Sequence, residues 1–114
     1  MLASDSFPNT YGKILFIEDL DEYLYHIDRM MMALQRAGVL DNIVGLVVGG
    51  LTDMHDNAVP FGKTAEEIVL EHVRHRGYPV CFGFPAGHQS LNCAFRLGSN
   101  VTLSVFSSVT LDFQ

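Results

Sequence analysis

An α/β fold, with a parallel β-α-β-α-β core followed by antiparallel strands, is predicted by three features of this sequence. Two short runs rich in Ile, Val and Phe, at 13–17 and 42–48, read as buried strands. Each is followed by a stretch whose apolar residues recur at three-to-four spacing, the period of a half-buried helix. Strands alternating with helices fold as crossover units, which makes the strands parallel. After residue 93 the rhythm changes to short alternating strands with tight turns between them, and such turns suit antiparallel hairpins.

In chain order, residues 1–12 are polar and turn-rich and read as a linker or a cut end. Lys13 to Ile17 is the first strand, ending at the acidic cluster Glu18, Asp19, Asp21 and Glu22. Tyr23/Leu24, Ile27, Met30/Met31, Leu34 and Ala37 mark a helix with acids crowding its first turn, where the helix dipole favours them. Gly38 is its C-terminal cap. Asn42 to Val48 is the second strand, ended by Gly49-Gly50, and a polar loop follows. Thr64-Ala-Glu-Glu67 has the spacing of a capping box and predicts a helix from about Ala65 to Arg76, stopped by Gly77. Val80 to Phe84 is the third strand, and the loop Pro85 to Asn92 follows it. Ala94–Leu97, Asn100–Val105 and Val109–Phe113 are three further strands, with Thr102, Ser104, Thr110 and Asp112 on a solvated face.

Composition narrows the function. The chain has 114 residues, 48% hydrophobic and 18% charged, which suits one folded domain. A formal net charge of −6 argues against a general nucleic-acid binder. No apolar run reaches the ~20 residues that span a bilayer, and the first residues carry no signal-peptide pattern. Cys81 and Cys93 read as two free thiols of a reducing compartment rather than as a disulfide.

Open parallel sheets bind ligands beyond the carboxyl ends of their strands. On that rule strand one delivers Glu18 and Asp19. Strand two delivers Gly49-Gly50, Thr52, Asp53 and His55, and strand three the loop holding Gly87-His88. A histidine flanked by glycine in a small-residue loop is placed for acid–base work. The competing reading is a loop histidine hydrogen-bonded to backbone. Glu18 could orient a histidine, yet periodicity alone does not choose among Glu18, Asp19, Asp21 and Glu22. Asp53, His55 and Asp56 resemble a metal-ligand cluster, but no further ligand stands at a diagnostic spacing. His72 and His75 read as part of a solvated helix face. No serine sits in a nucleophile elbow, and no phosphate or dinucleotide loop is present.

Gly12-Lys-Ile-Leu-Phe-Ile-Glu-Asp19, the segment Glu22 to Met30, Gly49-Gly-Leu-Thr-Asp53, and Gly83-Phe-Pro-Ala-Gly-His88 with Asn92 occur in the order found in one family. Together they make residues 13–114 resemble the C-terminal domain of the LD-carboxypeptidases, serine peptidases of murein recycling whose relatives include the microcin C self-immunity proteins. The resemblance fades over residues 106–114. It implies a swivelling three-layer β/β/α architecture and a Ser-His-Glu triad, with Glu18 as the glutamate and His88 as the histidine. The serine and its oxyanion amide would belong to an N-terminal nucleophile domain, leaving this chain inactive alone. Gly87, Asp19 and Asp53 would shape the site or touch substrate. The implied reaction releases a terminal D-alanine from a cytoplasmic murein tetrapeptide without cofactor or metal. A bare half-site would favour a homodimer. Two other readings are a non-catalytic peptide-binding or self-assembling domain, and a metal protein built on Asp53, His55, Asp56 and His88.

Overall fold

The computed structural model describes Leu2 and residues 4–114; Met1 and Ala3 of the expected linker lie outside the described residues. The elements are β1 (Ile14–Leu20), α1 (Leu24–Arg36), α2 (Val39–Asn42), β2 (Gly45–Thr52), α3 (Ala65–Val73), β3 (Val80–Cys81), β4 (Val101–Val105) and β5 (Val109–Phe113). β1, β2 and β3 form a parallel sheet in that order, with β2 central. β4 and β5 form a separate antiparallel hairpin. The α/β fold with a parallel core and antiparallel strands after it is therefore present.

The pleat of the sheet sorts its side chains into two layers. Leu46 and Val48 of β2 face the helices and pack with Ile27 and Met31 of α1 and Ile68, Val69 and Val73 of α3. Leu15 and Ile17 of β1 join that cluster. Phe16 points the other way, with its ring edge-on to Phe95 at 4.8 Å and to Phe84 at 6.0 Å. Phe113 of β5 closes on Phe95. The hairpin thus forms the third layer and is held by aromatic packing. Its Thr102, Thr110 and Asp112 face solvent, as their alternation predicts; Ser104, expected beside them, is instead partly covered, as are Leu103, Leu111 and Phe113.

α3 opens on the expected capping box: the Thr64 hydroxyl accepts from Glu67 N at 3.2 Å, and the Glu67 carboxylate accepts from Thr64 N at 2.8 Å. Other expectations shift at their edges. β1 does not stop at Ile17 but runs through Glu18 and Asp19, so the first turn of α1 carries no acid. Gly38 does end α1, with φ 73°, and the short α2 that follows takes up Asn42. α3 ends at Val73, short of Arg76, and Gly77 (φ 78°) turns the chain after it. The regular ladder of β3 covers only Val80 and Cys81; Gly83 turns the chain with φ 67°, and Phe84 N then returns to β2 by donating to Val48 O at 3.0 Å. Ala94–Leu97 is no strand: Phe95 is partly covered, packed among aromatic rings without a ladder, and Leu97 faces solvent. Cys81 is buried, Cys93 exposed, and both are free thiols.

His72 does not lie on a solvated face. Its side chain is 9% exposed and bridges α3 to α1, with Nδ1 at 2.9 Å from Gln35 Oε1 and Nε2 at 3.0 Å from Asp28 Oδ1. His75, by contrast, is exposed. Removing two helix-to-helix hydrogen bonds together should be felt: His72→Ala is expected to lower unfolding free energy by about 2 kcal/mol, read from urea denaturation followed by circular dichroism.

Candidate active site

The site grows out of an irregularity in the pairing of β1 with β2. Ile17 pairs with Val48, but Asp19 pairs with Leu51. One residue of β1, Glu18, therefore stands opposite two of β2, Gly49 and Gly50. Such bulges bend a strand and re-aim its neighbours, and they gather beside functional sites. Gly49-Gly50 consequently does not end β2; it is the bulge within it.

The two glycines make room for the loop after β3. A Cβ on Gly49 would lie 2.4 Å from the backbone oxygen of Ala86 and 2.9 Å from the Phe16 ring. Gly50 N instead donates to that same Ala86 oxygen at 3.0 Å. The loop is pinned further from within. Gln89 Nε2 donates to Phe84 O (2.7 Å) and Ala86 O (3.1 Å), Gly87 N donates to Asn92 Oδ1 (3.3 Å), and Cys93 N donates to Pro85 O (2.6 Å). Thr52, at the end of β2, donates its hydroxyl to His88 O at 2.5 Å.

These constraints bring Glu18 and His88 together. Glu18 Oε2 lies 2.9 Å from His88 Nδ1 and accepts the His88 backbone N–H at 3.2 Å. Gly87, at φ 104°, packs directly on the carboxylate; a Cβ there would sit 2.7 Å from Oε2. The Glu18 side chain is partly covered and the imidazole is 61% exposed. The hydrogen bond from the His88 ring holds the Glu18 carboxyl below the usual carboxylate range; partial burial opposes this, and the backbone N–H of His88 adds to it.

An ionised carboxylate only accepts, so Nδ1 must carry the hydrogen of this bond. Nε2 is then the nitrogen with a free lone pair, and no hydroxyl or thiol among the described residues is hydrogen-bonded to it. The pair can take a proton from an incoming group at Nε2 while the carboxylate stabilises the imidazolium that forms.

The remaining candidates lie outside this contact. Asp19 accepts the Leu20 backbone N–H and Asp53 turns the chain with φ 53° after β2; neither is hydrogen-bonded to His88. His55 Nε2 contacts Asp21 Oδ1 at 2.5 Å, and Asp56 accepts backbone N–H groups of Asn57 and Phe61. Their partners point them apart, and among the described residues no three metal-ligating side chains converge. Periodicity did not single out Gln89 or the hydroxyl of Thr52. The signal was the glycine pair, which only a close approach of another chain segment requires.

Fold and site together define an α/β domain in which a carboxylate near the carboxyl end of one parallel strand meets a histidine of the loop that follows another. The chain belongs to the LD-carboxypeptidase family: the model of the LD-carboxypeptidase C-terminal domain matches residues 1–103. A probable murein peptide carboxypeptidase of Bacillus subtilis is 35% identical over 84% of this chain and 30% of its own length. A putative carboxypeptidase of Synechocystis is 30% identical over 90% of this chain and 34% of its own length. The chain therefore spans about a third of these curated relatives. The crystal structure of a muramoyltetrapeptide carboxypeptidase from Oxalobacter formigenes superposes with TM-score 0.86 at 28% identity, covering 99% of this chain and 40% of that one. The microcin C7 self-immunity protein in complex with aspartyl sulfamoyl adenosine superposes with TM-score 0.62 at 25% identity, over 73% of this chain and 24% of that one.

Proposed function

We propose that this domain supplies the histidine and glutamate of a Ser-His-Glu triad in a serine LD-carboxypeptidase that releases terminal D-alanine from murein tetrapeptides. The observation that carries the reading is the 2.9 Å contact between Glu18 and His88 Nδ1. The kinship with murein peptide carboxypeptidases supports the substrate class. A serine on an N-terminal nucleophile domain would attack the carbonyl of the L,D-amide. His88 Nε2 takes the serine proton and returns it to the leaving D-alanine amine, so the C–N bond breaks and an acyl-enzyme remains. Water then enters by the same route and frees the tripeptide. Glu18 keeps His88 in the required tautomer throughout. Gly87 gives the carboxylate its place, and Asp19 and Asp53 shape the approach to it.

The reading also includes a cytoplasmic setting in peptidoglycan recycling and a homodimer. No helix among the described residues is long and apolar enough to cross a membrane. A second reading, an acyl conjugate of the microcin type as substrate, is favoured by the superposition on the self-immunity protein.

The test is D-alanine release from a murein tetrapeptide by this chain alone and then with a separately made nucleophile domain. Activity only after mixing is the expected result. Activity of the chain alone would place a nucleophile within its 114 residues and overturn the split triad. No release in either case, with cleavage of an aminoacyl sulfamoyl adenosine instead, would favour the second reading.

A further inference from the structure

Thr52 joins three pieces of backbone at the carboxyl end of the sheet. It pairs with Leu20 across β1 and β2, and its carbonyl accepts Asp21 N–H at 3.0 Å. Its hydroxyl donates to the carbonyl of His88 at 2.5 Å. On the other side of the same α-carbon, His88 N–H is held by Glu18 at 3.2 Å. The two peptide planes flanking His88 are therefore tied to different strands, one to β1 and one to β2. Fixing both planes fixes the backbone dihedrals of His88, and those restrict the rotamers open to its side chain. With 61% of its side chain exposed, the ring has little packing to hold it in place. Hydrogen bonds must do so.

We propose that Thr52 is a positioning residue for His88: by holding the histidine's own carbonyl, its hydroxyl keeps the ring meeting Glu18 through Nδ1 and leaves Nε2 free. This rests on Glu18 and His88 being the acid and base of the triad. The hydroxyl proton is committed to the His88 carbonyl, so Thr52 acts through His88 and not on substrate. Gln89 does a different job. Its amide stiffens the loop at Phe84 and Ala86, upstream of His88, and leaves the carbonyl of residue 88 to Thr52. The bulge at Gly49-Gly50 is what allows both arrangements, since it brings the loop down onto β2.

Thr52→Val keeps the branched shape that suits a strand end and removes the donor; Thr52→Ser keeps the donor. Two readouts are needed. The first is NMR of the isotope-labelled imidazole in this chain, which reports the tautomer without any turnover. The second is kcat and KM for D-alanine release in the mixture with the nucleophile domain. The parent is expected to hold the Nδ1-protonated tautomer. The valine variant is expected to show a mixture of tautomers and a kcat lower by about 10- to 100-fold with little change in KM, the effect of a misplaced catalytic group. Serine should restore both.

A valine variant with the parent's tautomer and kcat would overturn the proposal. Should valine cost the fold, seen as loss of amide dispersion, Thr52→Ala at this half-exposed position carries the same two readouts. The triad reading fails separately, if His88→Ala leaves D-alanine release unchanged.

Discussion

In the proposed triad, exchanging Glu18 for glutamine is expected to lower D-alanine release by the mixture of this chain with a nucleophile domain by about 10⁴-fold, the scale on which an acid-to-amide change acts in a nucleophile–histidine–acid triad. The geometry explains why so small a change should matter. Oε2 receives two hydrogens at once, from His88 Nδ1 and from His88 N. An amide oxygen could still accept both, but it carries no charge to stabilise the imidazolium. An amide nitrogen at that place would force His88 to accept at Nδ1 and to carry its hydrogen on Nε2, the wrong tautomer for a base. KM should change little, because Glu18 touches His88 and not the substrate in this reading. Steady-state kinetics of the mixture would check both parts. A loss confined to KM would instead make Glu18 a binding residue.

The same substitution has a pH signature. Glu18 is held below its ordinary value of 4.5. Its contribution to stability is therefore fully present above that value and is lost as the pH falls through the lower, folded value. Thermal unfolding of the parent should lose stability across that acidic window, and the glutamine variant should lose less. Parallel curves for the two proteins would show that the contact does not operate in solution.

Gly87→Ala is expected to be the most damaging change outside the pair itself. At φ 104° any side chain is strained, and an alanine Cβ would lie 2.7 Å from Glu18 Oε2 and 3.0 Å from its Cβ and Cγ. Strain of this kind costs about 1–3 kcal/mol. The larger effect is geometric: either the carboxylate or the histidine must move, and a shift near 1 Å can cost about 10²-fold in rate. Gly83 supplies the control. It also has positive φ, 67°, but nothing lies within 4 Å of a Cβ placed there. Gly83→Ala should therefore destabilise through backbone strain alone and leave turnover per folded molecule near the parent value. Denaturation midpoints and kcat, measured on both variants, separate the two mechanisms. Equal losses of kcat would mean that loop stiffness, not contact with Glu18, is what Gly87 provides.

The central layers were legible in the sequence because their signals are local. Thr64 and Glu67 announce the start of α3 within four residues, and the apolar period of α1 is carried by its own side chains. Pairing is not local, and expectations about it shifted. Gly49-Gly50 reads as a strand end when β2 is viewed by itself. Only the neighbouring strand and the loop above it reveal a bulge. Ala94–Leu97 has a strand's composition but no partner, so its one large ring settles between Phe16 and Phe84 instead. His72 looked solvated because its partners, Asp28 and Gln35, lie on another helix. Motif resemblance singled out Glu18 from its acidic neighbours, and the structure places that residue, with Gly87, against His88. Thr52 entered as one residue of a motif; its hydroxyl acquired a meaning only when its distance to the His88 carbonyl was known.

Glu18 and His88 stand 70 residues apart in the chain, and their contact spans almost the whole parallel sheet. Contacts of such long range form slowly, since a large loop must close before they are made. The carboxylate is in place when β1 docks, but the imidazole must wait for β2, α3 and β3 to be laid down beside it. During refolding, the ring signal of His88 should therefore be the last to reach its native position, well after the helices have formed. The meeting of carboxylate and imidazole in this domain is then a property of the finished molecule: a partly folded chain, however helical, holds Glu18 with no His88 beside it.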